Sequence, residues 1–110
     1  AVDLSVIHEM VGNNPGVAEK FWRLYQEQAT SIVAEIKDAF KEQDCAKISS
    51  LAHKLKSSSR SIGAMRLGDI CQEMEHAGKL SDFAILKALG NSFDTEFIAV
   101  IQEIEAALKL

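Results

Sequence analysis

Ile48-Ser49-Ser50-Leu51-Ala52-His53-Lys54-Leu55-Lys56-Ser57-Ser58-Ser59-Arg60-Ser61-Ile62-Gly63 spaces its apolar residues at the period of an α-helix. At about 100° per residue, Ile48, Leu51, Ala52, Leu55 and Ile62 fall within roughly 60° of one direction, which defines a buried stripe. By the same count His53 lies about 140° from that direction, on the solvent side. Lys56 and Arg60 share the side that His53 occupies, and Ser57 sits one turn beyond it. The helix thus offers an imidazole to solvent beside two permanent cations able to meet an anion. Asp44 is placed to cap its start and Gly63 to end it.

The same grammar extends in both directions. Upstream, Asn14 caps and Pro15 takes the first position of a long helix, where a missing N–H is harmless. Its stripe reads Phe21, Leu24, Tyr25, Gln28, Ile32, Ile36, Ala39 and Phe40. Before it, Asp3 opens a short helix through Leu4, Ile7 and Val11 that closes near Gly12. Downstream, Ala64, Leu67, Ile70, Cys71, Met74 and Ala77 mark a helix stopped by Gly78. Ser81 caps the last helix, with Leu80 and Ile85 spaced as a hydrophobic staple. Leu86, Leu89, Phe93, Phe97, Val100, Ile104 and Leu108 carry its stripe to the C-terminus, and Gly90 is placed to bend or weaken it. No segment alternates at the period of a strand. Short connections between successive amphipathic helices predict an all-α, up-and-down antiparallel four-helix bundle with a short additional N-terminal helix.

With 110 residues, 47% of them hydrophobic, the chain suffices for one domain, residues 1–110, with its own core. No signal peptide or unbroken apolar span is evident, which predicts a cytoplasmic protein without direct membrane contact. Cys45 and Cys71 have neither metal-type nor redox-type spacing, and free thiols suit a reducing compartment. The net charge of −4 conceals an asymmetry: from Lys47 to Arg66 there are five cations and no acid. That stretch lacks an aromatic for base stacking and the rest of the chain is acidic, which argues against nucleic acid. A local basic patch suits a small anion or an acidic protein surface.

Ala52-His53-Lys54-Leu55-Lys56-Ser57-Ser58, followed by Gly63-Ala64, Leu67, Cys71 and Glu75, closely resembles the histidine-containing phosphotransfer (HPt) family, whose motif around the histidine reads A-H-x-L-K-G-S. The resemblance extends over nearly the whole chain. It implies that His53 is the phosphoacceptor, that Lys56 neighbours the phosphate, and that Ser57 occupies the position where the family usually has glycine. It further implies a monomeric phosphorelay intermediate. This would take a phosphoryl group from a receiver-domain aspartate and pass it to a response-regulator aspartate. The partners would be receiver domains of a hybrid sensor kinase, a response regulator, or both. Arg60, Ser57, Ile7 and Met10 are the candidate docking residues. No cofactor of its own is implied; the receiver supplies Mg²⁺.

Independently of the family, a neutral imidazole nitrogen is a nucleophile available near neutral pH, and its phosphoramidate is labile enough to pass the group on. The chain has no Gly-rich phosphate loop, which argues against ATP-dependent kinase activity of its own. Three other readings stand beside this one. An exposed histidine between lysines is by itself an ordinary surface residue. A helical bundle is also able to dock partners as a scaffold without chemistry, a degenerate member of the same family. Glu73-Met74-Glu75-His76 contains the Glu-x-x-His of di-metal bundles, but neither His8 nor His53 has the second glutamate such a centre requires, so no metal site is expected. His8 and His76 read as surface residues. The start at Ala1 without methionine suggests a fragment or a processed form, and the chain is either a free-standing protein or the soluble module of a membrane-bound hybrid kinase.

Overall fold

The structure, a computed structural model, describes residues 15–108. Asp3, Ile7, His8, Met10 and Asn14, with the expected short N-terminal helix, lie outside the described residues. Four helices follow one another: α1 (Pro15–Glu42), α2 (Cys45–Ser61), α3 (Met65–Lys79) and α4 (Phe83–Leu108). They form an antiparallel bundle with an axis of 44 Å. At 1.5 Å per residue the 28 residues of α1 span about 42 Å, nearly the whole length. None of the described helices is long and apolar enough to cross a membrane.

The connections repeat one device. Gln43 (φ 54°), Gly63 (φ 87°) and Ser81 (φ 55°) each take the left-handed conformation after a helix. The next amide then reaches back five residues: Asp44 N–H to the Ala39 carbonyl (2.9 Å), Ala64 to Ser59 (2.8 Å) and Asp82 to Ala77 (2.9 Å). These closures satisfy carbonyls that a helix end leaves open. At two of the turns the same residue starts the following helix, since Asp44 Oδ1 accepts from Lys47 N–H and Asp82 Oδ1 from Ile85 N–H, both at 3.1 Å. The cap of α4 is therefore Asp82 and not Ser81, whose left-handed backbone is the wrong hand for an N-cap. The staple expected of Leu80 and Ile85 is absent, as both are exposed.

The core combines Ala18, Trp22, Tyr25, Ala29, Val33, Ile36 and Ala39 of α1 with Ile48, Leu51, Ala52 and Leu55 of α2, Leu67, Cys71 and Met74 of α3, and Leu86, Phe93, Val100 and Ile104 of α4. Along α1 this is a rotation from the sequence expectation: Phe21 and Leu24 are exposed, while Trp22, Ala29 and Val33 face inward. The small residues Ala18, Ala29 and Ala39 let α1 lie close to its neighbours, and Trp22 and Tyr25 supply the bulk of its buried face. A buried hydrogen bond between the hydroxyls of Tyr25 and Ser59 (2.8 Å) ties α1 to α2.

Helices α2 and α3 form the most intimate pair, and α1 meets α4 less closely than it meets α2. Two glycines explain the first observation. A Cβ on Gly78 would lie 2.7 Å from both the Cys45 carbonyl oxygen and Ser49 Cβ, and one on Gly68 would lie 2.6 Å from Arg60 Cγ. Gly78 thus lies inside α3, where it permits contact, and does not stop the helix. Gly90, within an uninterrupted α4, has nothing within 4 Å of its Cβ position.

Gly90→Ala should therefore stabilise the protein by about 0.5–1 kcal/mol, the ordinary helix preference of alanine. Gly78→Ala should destabilise it by about 1–3 kcal/mol, because backbone of α2 stands in the way. Urea denaturation of both variants beside the parent measures the two signs.

Candidate functional site

The α2–α3 seam brings one histidine, two lysines and a glutamate together. His53 lies between buried Ala52 and Leu55, and its side chain projects to solvent, 59% exposed. Across the seam, Glu75 follows Met74 and precedes Gly78 by three residues, so its Cα faces α2. Ser49 Oγ donates to the Glu75 carbonyl at 2.9 Å and fixes this register. The carboxylate then takes three partners. Oε1 accepts from Lys56 Nζ at 2.7 Å, while Oε2 faces His53 Nδ1 at 3.1 Å and Lys79 Nζ at 3.2 Å.

The Lys56 ammonium, opposed by partial burial and helped by Lys79 and His53, holds the Glu75 carboxyl well below its ordinary range, at about 2. Glu75 is thus ionised at neutral pH, and an ionised carboxylate only accepts hydrogen bonds. The ring nitrogen facing it, Nδ1, must carry the proton. In the neutral imidazole this leaves the lone pair on Nε2, the nitrogen turned away from Glu75.

The other residues singled out by the sequence divide. Lys56 belongs to the cluster with His53. Arg60 does not touch Glu75: its Nη2 donates to Asp69 Oδ1 (3.1 Å) and Gln72 Oε1 (2.8 Å), lying over Gly68 as a second cross-link between α2 and α3. Ser57 Oγ bonds back to the His53 carbonyl at 3.4 Å and not to the imidazole. His76 and Glu73 are exposed, and among the described residues no group of three His, Cys, Asp or Glu side chains is arranged to hold a metal ion. Burial pushes the Cys71 thiol and the Tyr25 hydroxyl up to about 12, so both are neutral core groups.

The residues the sequence reading passed over are Glu75, present in the family pattern but given no task, and Lys79. A signal existed: Cys71, Glu75 and Gly78 share one face of α3, and a carboxylate in a buried seam requires a cationic partner. Two shallow clefts flank the pair. One, of about 410 Å³, is lined by His53, Ser49, Ser50, Lys54, Glu75 and Lys79. The other, of about 320 Å³, is lined by Lys56, Gln72, Glu75, His76 and Lys79.

The Hpt domain family model matches residues 20–109. Over 56 residues, 51% of this chain, the sequence is 36% identical to multistep phosphorelay regulator 1 of Schizosaccharomyces pombe (strain 972 / ATCC 24843), and the match spans only 19% of that relative's length. The crystal structure of histidine-containing phosphotransfer protein B (HptB) from Pseudomonas aeruginosa PAO1 superposes with a TM-score of 0.90 at 18% identity, covering 98% of this chain and 94% of that one. At this identity the likeness shows the fold. The match over most of the chain shows that it belongs to the Hpt domain family, and its general role is phosphotransfer.

Because the Glu75 carboxyl is lowered on folding, its contribution to stability is complete above its ordinary value of 4.5 and is lost as the pH falls toward 2. Stability should decline across that window. Glu75→Gln should flatten this part of the profile and cost about 1–3 kcal/mol at neutral pH, since half-buried Lys56 loses its counter-charge. Denaturation midpoints of both proteins between pH 7 and pH 2 are the measurement.

Proposed function

We propose that this Hpt domain is a phosphorelay intermediate in which His53 Nε2 takes a phosphoryl group from the aspartyl phosphate of one receiver domain and passes it to the aspartate of another. The supporting observation is the contact between Glu75 Oε2 and His53 Nδ1, 3.1 Å, which leaves the nucleophilic nitrogen on an open surface. The Nε2 lone pair attacks phosphorus, an N–P bond forms, and the P–O bond to the receiver's carboxylate breaks with the electron pair leaving on that carboxylate. The ring keeps its Nδ1 proton, so positive charge develops on it, and Glu75 stands beside that charge throughout. In the reverse direction the same proton makes a neutral imidazole the leaving group. One geometry serves both halves of the relay.

Lys56 fixes the carboxylate and brings positive charge near the phosphoryl group. The receiver domain contributes the aspartate and Mg²⁺, and this chain contributes no cofactor and no ATP-dependent kinase activity. Receiver domains of a hybrid sensor kinase or of a response regulator are the partners we infer, engaging the exposed face around His53 and Ser57 with a contribution from Ile7 and Met10.

His53→Gln should abolish phosphate uptake from a phosphorylated receiver with little change in the denaturation midpoint, because the side chain is mostly exposed and Glu75 keeps both lysines when the ring is lost. Ser57→Leu should slow transfer at least about tenfold by crowding the turn beyond His53, with the bundle intact. Radiolabelled transfer assays with site mapping test both. A chain that binds the receiver but takes no phosphate would be a docking scaffold, and uptake by His53→Gln would remove His53 from the reaction.

A further inference from the structure

Glu75 is a single carboxylate with two ammonium partners, and they are held differently. Lys56 is shielded, with 18% of its side chain exposed, and owns Oε1 at 2.7 Å. Lys79, the last residue of α3, is 67% exposed and shares Oε2 with the imidazole at the longer distance of 3.2 Å. A pair whose ammonium stays mostly in water and makes the longer bond is weaker than a shielded one, so Lys79 leaves Glu75 more readily than Lys56, which would give up a shielded charge-assisted bond. The cluster carries one positive charge more than Glu75 neutralises, and Lys79 shares an open cleft with His53.

We propose that Lys79 is the mobile cation of the site, leaving Glu75 Oε2 to pair with the phosphoryl oxygens once His53 carries phosphate. This rests on His53 being the phosphoacceptor and adds a second phosphate-binding residue, on α3, to Lys56 on α2. Arrival of a dianion on Nε2 gives the surplus ammonium a stronger partner than an oxygen it shares with the ring. Its departure also leaves Oε2 to Nδ1 alone, just when the ring holds positive charge. A cation on the non-bridging oxygens opposes loss of the group to water, because those oxygens surrender charge in a loose, metaphosphate-like transition state.

The test uses phosphoramidate as donor: the Nε2 lone pair attacks phosphorus, the donor's P–N bond breaks, and ammonia leaves after taking a proton from solvent. Site mapping by mass spectrometry establishes whether the parent is modified on His53; if it is not, both the phosphoacceptor reading and this inference fall. Given phospho-His53, its hydrolysis in Lys79→Gln should be roughly threefold to tenfold faster than in the parent, and Lys79→Arg should return it to within about twofold. A parent-like lifetime in Lys79→Gln overturns the role of Lys79 and leaves that of His53 standing. Lys54→Gln removes the same charge from the same cleft without a bond to Glu75. An equal loss there would mean a diffuse field and would also overturn the assignment. Repeating Lys79→Gln in a Glu75→Gln background separates direct from indirect action: the effect persists if Lys79 meets the phosphoryl group and vanishes if it acts only by orienting Glu75.

Discussion

A carboxylate in a helix seam has few ways to exist, and Glu75 uses nearly all of them at once. Its backbone carbonyl accepts from Ser49 and its side-chain oxygens engage Lys56, Lys79 and His53. Ion pairs removed from water contribute little net stability, because desolvation offsets the attraction. What this one provides is placement. Both lysines keep the carboxylate ionised, ionisation determines which nitrogen of the imidazole bears hydrogen, and that in turn determines which nitrogen faces outward with a lone pair. The chemistry of an exposed side chain is thus decided by a buried one on another helix.

That arrangement depends on how near α3 lies to α2, and the proximity has a cause in composition. Gly78 lets the two backbones meet beside Ser49, and Gly68 gives Arg60 a trough through which to reach Asp69 and Gln72. Glu75 lies between the two points of approach. Arg60 therefore belongs to the frame that holds the seam shut, and the basic character read from the sequence is partly spent within the molecule: Lys56 and Arg60 each hold an acceptor on α3.

The bundle and the outward direction of His53 were legible because both are periodic properties of a single helix. Caps that obey local rules, such as Asp44, were legible too. Other features depended on contacts distant in sequence. Phe21 and Leu24 form as good a stripe as Trp22, Ala29 and Val33 do, and only packing against the other helices chooses between them. Ser81 looks like an N-cap until its backbone is known to be left-handed, at which point the neighbouring Asp82 takes the role. Glu75 was visible as a member of the family pattern, yet its task arises from a residue 22 positions away, and no reading of α3 alone reveals it.

The turns have a bearing on the site that extends beyond chain reversal. In the Gln43–Asp44 turn the left-handed residue that ends α1 is followed at once by the cap that begins α2, with no slack between them. Such a joint behaves as an angular index: it determines where the chain goes and also the rotational phase in which the next helix starts. One additional residue there would advance that phase by about 100°, forcing His53 from the wet face toward the seam or breaking the cap to prevent it. The seam locks the same phase from the opposite side, through Ser49 and the backbone of α3. Length variation in a chain of this kind is consequently a change of side-chain azimuth, and the orientation of His53 is encoded in residue count as much as in residue identity.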